Sequence, residues 1–450
     1  MPRAKSKGRV KRNTSPTNST TTPLPEQIRI LSVNACCLPN GYRNAKLPTD
    51  TVRSGFSLHF LLYALTLTYY HYNYHPITID SLHSSNFLMF AIPLFPICFL
   101  FGWMFGGQAA RLVGRFRQTF CGWGSDYKFE RLTILADDVL SQYDVVAVQE
   151  LFGSIPKLVD AGHVDYLIER AKQYGLIYHS RPQSTKFPSL AMDTGLLILS
   201  RFPIEDSTSL VFSKQFLGEQ FAVNRGAMHA KINLPSKYNS LTKSSSTSGK
   251  SKSKSKSKSK NQTNSIHFFT AHVSPSMNKL LEGYPSKIIE IGESARSSQF
   301  QELGTFINAK RSKNARCIVA GDFNADIPYP RHPKTKKLLK PIVSVAMKVV
   351  LNTMCTDLKL NDTTLGHYKP TFGYEGKERL LTNTHANRDL IAKTDDLIFC
   401  DDGCKNSKGT FDWNVVSMQV NREGEDGESV PFTHLSDHWG VSLVLPVNVW

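Results

Sequence analysis

Short runs of consecutive apolar residues, several ending abruptly in a polar side chain, dominate the pattern of this 450-residue chain. Ile28 to Val33 (Ile-Arg-Ile-Leu-Ser-Val) is mostly apolar, rich in β-branched residues, and ends in Asn34, which predicts a first strand. Asp144-Val145-Val146-Ala147-Val148-Gln149 is a buried-strand pattern that ends in Glu150. The segment before it, 129–142, has apolar residues at helical spacing. Further strands are predicted at 195–200, 226–234 and 266–272, a long helix at 286–310, and a strand from Arg316 into Gly321-Asp322-Phe323-Asn324. Asp396-Leu397-Ile398-Phe399 starts another strand, and Trp439 to Leu445 closes the series. Strands with helices between some of them predict a layered α/β architecture.

Two segments depart from this pattern. No Lys, Arg, Asp or Glu stands between Arg53 and Asp80, nor from Phe87 to Phe105, and both stretches are apolar and aromatic. The second would make a helix of about 28 Å, close to the thickness of a bilayer's hydrocarbon core. The expectation is a hydrophobic hairpin over 54–110, spanning or re-entrant, inserted between the first strand and its helix. If strands on both sides of it belong to one sheet, the chain must return to the side it left. Arg43, Lys46 and Arg53 precede the hairpin and Arg111, Arg115 and Arg117 follow it, while its linking turn has no basic residue. That asymmetry predicts a membrane-associated protein whose folded part faces the cytosol.

Charge sharpens the partner class. The formal net charge is +17. Residues 1–26, Ser/Thr/Pro-rich and basic, are expected to be disordered, and a Lys-Ser repeat lies within a loop at 236–264. These two segments carry most of the excess, and the remainder is near balance at about +4. A near-neutral folded part offers no basic groove for nucleic acid, whereas mobile polybasic segments suit an anionic membrane surface. The eight cysteines have neither metal-ligand nor small-scaffold spacing, which predicts reduced thiols. Oligomeric state is not legible.

The polar residues that terminate the strands are the chemistry-bearing set: Asn34, Glu150, His272, Asp322, Asn324, Asp396, Asp437 and His438. Strand ends along one edge of a sandwich gather into one pocket. A carboxylate such as Glu150 suits Mg²⁺, which prefers oxygen ligands. Two histidines on separate strands can serve as base and as donor to a developing oxyanion, and a carboxylate beside one of them fixes its tautomer. No zinc-type Cys/His spacing, phosphate-cradling Gly-rich loop with Lys, or Gly-x-Ser-x-Gly elbow is present.

In their order, Ser32-Val33-Asn34, Val148-Gln149-Glu150, Thr270-Ala271-His272, Gly321-Asp322-Phe323-Asn324, Asp396-Leu397-Ile398-Phe399 and Ser436-Asp437-His438 resemble the endonuclease/exonuclease/phosphatase superfamily, the deoxyribonuclease I-like phosphodiesterases. Within it, Asp126 to Leu132, Asp193 to Arg201, Asn224-Arg225-Gly226-Ala227 and the helix with Arg296, Gln299 and Leu303 are most similar to the neutral sphingomyelinases. The resemblance spans about 28–447. It implies a four-layer α/β sandwich, two packed mixed sheets flanked by helices, making a catalytic domain over 27–447. It also implies a sphingolipid substrate and Mg²⁺, with Mn²⁺ as the alternative. Glu150, Asn34 and Asp437 would hold the metal. His438 oriented by Asp396 would be the base, His272 the charge stabiliser, Asp322 and Asn324 the water-positioning pair, and Arg225 and Arg296 substrate contacts. Three positions depart from the family pattern: Ser274 where a second His is usual, Arg225 in place of Lys, and Thr394 in place of Arg. The alternatives are a nuclease of the same superfamily and a catalytically silent membrane-anchored binding protein.

Overall fold

A computed structural model describes residues 27–37, 127–152, 162–182, 193–215, 224–235, 265–275, 286–312, 316–328, 340, 345–372, 392–420, 432 and 434–446. The expected basic tail, hydrophobic hairpin and Lys-Ser loop lie outside these residues. Among the described residues, no helix is long and apolar enough to cross a membrane.

Twelve strands make two six-stranded sheets. The first holds β1 (Gln27–Cys37), β2 (Val145–Leu151), β3 (Tyr178–Ser180), β4 (Leu197–Ser200), β11 (Asp412–Val416) and β12 (Gly440–Pro446), in the order β11-β12-β1-β2-β4-β3. The second holds β5 (Ile204–Val211), β6 (Gly226–Asn233), β7 (Ser265–His272), β8 (Arg316–Pro328), β9 (Asn361–Asp362) and β10 (Lys393–Cys400), in the order β5-β6-β7-β8-β10-β9. β1 with β2 and β7 with β8 are parallel, and the other pairs antiparallel, so both sheets are mixed. β1 lies beside β12, which joins the two ends of the described chain.

Side-chain alternation along each strand explains the layering. On β1, Ile28 and Ile30 enter an apolar core shared with Met228, Phe268, Ile318 and Ile398 of the second sheet, while Leu31 and Val33 face the other way. That outer face packs on α1 (Lys128–Ile134) and α2 (His163–Lys172) through Leu132, Leu135, Leu167 and Ile168. In the second sheet, Val319, Phe269 and Phe399 cover the opposite outer face against α3 (Ser286–Lys310) and α4 (Val345–Leu351). The result is the expected four-layer sandwich of helices, sheet, sheet and helices.

Several local readings change. The 129–142 helix is α-helical only through Ile134, then widens to a π turn over Leu135–Val139 and tightens to a 3-10 turn over Leu140–Gln142. β8 continues past Asp322 to Pro328, and β10 begins at Lys393, three residues before Asp396. The short or polar β3, β5, β9 and β11 lack the apolar runs that marked the other strands. Cys317, Cys400 and Cys404 are buried free thiols, and burial pushes Cys317 up to about 12.

Gly321 sits where β7 and β8 run closest: a Cβ there would lie 2.2 Å from the Ala271 carbonyl oxygen. Gly321→Ala is therefore expected to destabilise the fold by about 3 kcal/mol through backbone displacement; equilibrium urea unfolding measures it.

Candidate active site

The inward face of each central strand is apolar until it nears one end of the sandwich, where it turns polar. On β1 the inward series Ile28, Ile30 continues as Ser32 and Asn34; on β2, Val145 and Ala147 continue as Gln149. On β7, Ile266 and Phe268 continue as Thr270 and His272; on β8, Ile318 and Ala320 as Asp322. Gln149 joins the sheets, donating from Nε2 to Ser32 Oγ at 3.1 Å and to Thr270 Oγ1 at 2.9 Å. Strand register then sets His272 opposite Asp322 and Asp322 opposite Asp396, one rung across β7, β8 and β10.

Asp322 is the centre of this rung and is 2% exposed. Its Oδ2 accepts from Asn34 Nδ2 at 3.0 Å across the sheet interface, and its Oδ1 accepts from the Asn324 backbone N–H at 2.9 Å. Burial, with Asp396 nearby, pushes its carboxyl pKa up, against the pull of His438. Asn324 has φ +47°, so the strand's two-residue alternation breaks there, and its Nδ2 donates to the Val273 carbonyl at 2.9 Å. Gly-Asp-Phe-Asn is thus both a local turn and a corner of the site. Glu150 also adopts a left-handed backbone, φ +53°, at the end of β2. Such conformations in non-glycine residues concentrate at functional sites.

The two histidines differ in protonation. His438 Nδ1 lies 2.8 Å from Asp396 Oδ2. The carboxylate accepts the Nδ1 proton, which makes Nε2 the ring's basic nitrogen, 4.0 Å from Asp322 Oδ2. Burial disfavours the imidazolium, but Asp396, Asp322 and Asp437 outweigh it and raise the pKa well above its ordinary value. His272 lies against Arg225, whose Nη1 is 2.8 Å from Nδ1. The same Nη1 also contacts Nε2, so the arginine, which can only donate, faces the ring without fixing its tautomer; Nε2 is the nitrogen turned towards the carboxylates. That nitrogen is 3.6 Å from Asp322 Oδ2 and 3.8 Å from Glu150 Oε1. Burial, Arg225 and His438 hold the His272 pKa well below its ordinary value, so the ring is neutral.

Glu150, Asn34 and Asp437, the expected metal ligands, offer a carboxylate, an amide and a second carboxylate. Asn34 stands opposite Gln149 in the β1–β2 register, one residue from Glu150. Its carbonyl is tied to the loop carrying Asp437 by Ser436 Oγ, which donates to it at 2.5 Å. This all-oxygen donor set fits a hard divalent cation such as Mg²⁺. Among the described residues, Asp322, Asp396 and His438 also present ligand atoms within 4.8 Å of one another. The hydrogen bond between Asp396 and His438 already occupies the facing atoms of that pair.

Arg296 is not where a substrate contact would be. Its side chain is 1% exposed, and its guanidinium donates to the carbonyls of Ser274 at 2.6 Å and Phe323 at 2.9 Å. It braces the chain just after His272 and beside Asp322, and burial beneath the turn keeps it from any ligand. Arg131 on α1 does the same on the first sheet, donating to Leu435 O at 2.5 Å and Ala35 O at 3.4 Å. Ser274, standing where the family has a second histidine, is bound to α3 by Gln299: its N–H donates to Oε1 and its Oγ accepts from Nε2. Thr394 donates to the Lys369 carbonyl at 2.6 Å. Sequence reasoning missed Thr371, whose Oγ1 accepts from the N–H groups of Asp395 and Asp396 at 3.0 and 3.1 Å. It carried no strand pattern to mark it.

A profile of the Endonuclease/Exonuclease/phosphatase family matches residues 130–438. A curated sphingomyelinase of Dictyostelium discoideum is 24% identical over 69% of this chain and 73% of its own length. Among solved structures, a Staphylococcus aureus beta toxin variant with bound magnesium ions aligns at TM-score 0.47 and 17% identity, over 70% of this chain and 92% of its own. A sphingomyelinase C from Streptomyces griseocarneus aligns at TM-score 0.46 and 16% identity, over 72% and 92%.

Two expectations follow from the site. In the metal-free protein, NMR titration should find the His438 ring protonated well above its ordinary range. Asp396→Asn should move that transition to lower pH, because the carboxylate that stabilises the cation is gone. Replacing Arg296 with Met strands two buried carbonyls and should lower stability by about 3 kcal/mol, read by thermal unfolding.

Proposed function

Because the chain belongs to the endonuclease/exonuclease/phosphatase family, we propose that it is a membrane-associated, Mg²⁺-dependent phosphodiesterase of the neutral sphingomyelinase type. It cleaves a sphingolipid phosphodiester to ceramide and a phosphorylated headgroup, phosphocholine or inositol phosphate. The observation that carries the reading is the convergence of two histidines from opposite sheets on one buried carboxylate, one of them held by a second carboxylate. His438 Nδ1 is held by Asp396, and Nε2 of His438 and of neutral His272 both face the same Asp322.

In its neutral form His438 takes a proton on Nε2 from water as the water oxygen attacks phosphorus in line, and Asp396 stabilises the imidazolium that forms. Asp322 and Asn324 orient that water and the phosphoryl oxygens. His272, with Arg225 beside it, stabilises the developing phosphoryl charge. The phosphorus–oxygen bond to ceramide breaks, and the departing alkoxide gains a proton. Glu150, Asn34 and Asp437 would hold the cation, which when bound supplies Lewis-acid polarisation of the phosphodiester. The apolar 54–110 segment and the polybasic stretches support delivery to an anionic lipid surface from the cytosolic side. The near-balanced charge outside those stretches favours lipid over nucleic acid.

The test is full-length protein in mixed micelles, offered labelled sphingolipids and single-stranded DNA side by side, with Mg²⁺ or with chelator. Release of a phosphorylated headgroup is expected, abolished by chelator and lowered about 10³-fold in His438→Ala with the fold intact. DNA cleavage without headgroup release would assign the nuclease, and substantial Mg²⁺-dependent turnover by His438→Ala would sink the mechanism.

A further inference from the structure

Thr371 and Phe372 form a two-residue strap between the sheets at the site end. Phe372 is bridged on one side to Lys393 of β10 and on the other to His438, just before β12. Its N–H donates to the Lys393 carbonyl and the Lys393 N–H donates back, each at 2.9 Å, and the Trp439 N–H donates to Thr371 O at 2.7 Å. The strap therefore touches both members of the base pair: Thr371 Oγ1 holds the Asp396 backbone, and the Phe372 ring lies 4.8 Å from the His438 ring, tilted by 60°.

The ring is itself held. Lys393 Nζ lies 4.9 Å from the Phe372 centroid and 2.6 Å from Asp395 Oδ2. Asp395 is 1% exposed, and its Oδ1 accepts from the Asp326 N–H at 2.9 Å, where the backbone has φ +49°. A cation over one aromatic ring, fixed by a buried carboxylate, limits where that ring can go. The ring in turn limits the rotation of the imidazole about its bond to Cβ. The ion pair flanks a base whose own partner, Asp396, is the next residue along.

We propose that Phe372 is a positioning residue for His438, and that the Lys393–Asp395 pair fixes the ring that does the positioning. The inference rests on His438 as the base. Holding a base within a few tenths of an ångström of its productive pose is a large part of its contribution, so loss of the ring acts on turnover and not on substrate affinity.

The test compares Phe372→Leu with Phe372→Tyr, and Lys393→Met with Lys393→Arg, in the full chain. Two readouts are taken: Mg²⁺-dependent hydrolysis of bis-p-nitrophenyl phosphate, and NMR of ¹⁵N-histidine-labelled protein with the His438 signal identified by His438→Ala. Phe372→Leu should lower kcat about tenfold or more with KM unchanged, while Phe372→Tyr keeps most of the rate. Lys393→Met should lower kcat and Lys393→Arg restore it. In Phe372→Leu the His438 ring protons should lose the upfield shift that a neighbouring aromatic ring imposes, and their signals should broaden. Unchanged kcat and unshifted His438 signals in Phe372→Leu would overturn the proposal. So would a raised KM at constant kcat, which makes the ring a substrate contact. If Phe372→Leu does not fold, the two Lys393 variants decide by the same readouts. If the wild-type protein hydrolyses no phosphodiester, the functional reading fails, and the NMR comparison still decides whether Phe372 positions His438.

Discussion

A carboxylate buried between two β-sheets is costly unless its surroundings supply hydrogen bonds and compensating charge. Asp322 meets that condition by drawing on every neighbouring element: an amide from β1, a backbone N–H from its own turn, and histidines from β7 and from the chain entering β12. Those partners converge only if both sheets are in register and the sandwich is closed. Folding and assembly of the site are therefore one event. The polar cross-link through Gln149, one layer deeper, fixes the same alignment.

The electrostatics follow from this geometry. Three carboxylates surround His438 and favour its charged form, whereas an arginine and another imidazole face His272 and favour its neutral form. One fold thus gives two identical side chains opposite electrostatic surroundings. The two buried arginines, Arg131 and Arg296, do different work. Each is aimed at backbone carbonyls beside strand ends, so they hold the site's outline without entering it.

Much of this was legible because the informative residues interrupt apolar runs. Asn34, Glu150, His272 and Asp322 each stand where an apolar strand run turns polar, and those turning points lie at one end of the sandwich. The resemblance that marked Arg296 could not tell that its guanidinium meets the Ser274 and Phe323 carbonyls, because those partners lie outside its own helix. Thr371, Phe372, Lys393 and Asp395 gave no signal, since a two-residue strap has no period and an ion pair on consecutive rungs resembles ordinary surface charge.

By itself the sequence determined the layering and the order of the central strands' polar ends, because alternation and apolar run length are local properties of the chain. It also determined the charge balance, near neutral outside two basic stretches. Only the tertiary structure decided which carboxylate faces which histidine and which ring nitrogen of His438 Asp396 holds. It also decided where the backbone turns left-handed at Glu150 and Asn324. Those depend on distances of a few ångströms between residues hundreds of positions apart, and electrostatic coupling at that range is set by packing, not by sequence spacing.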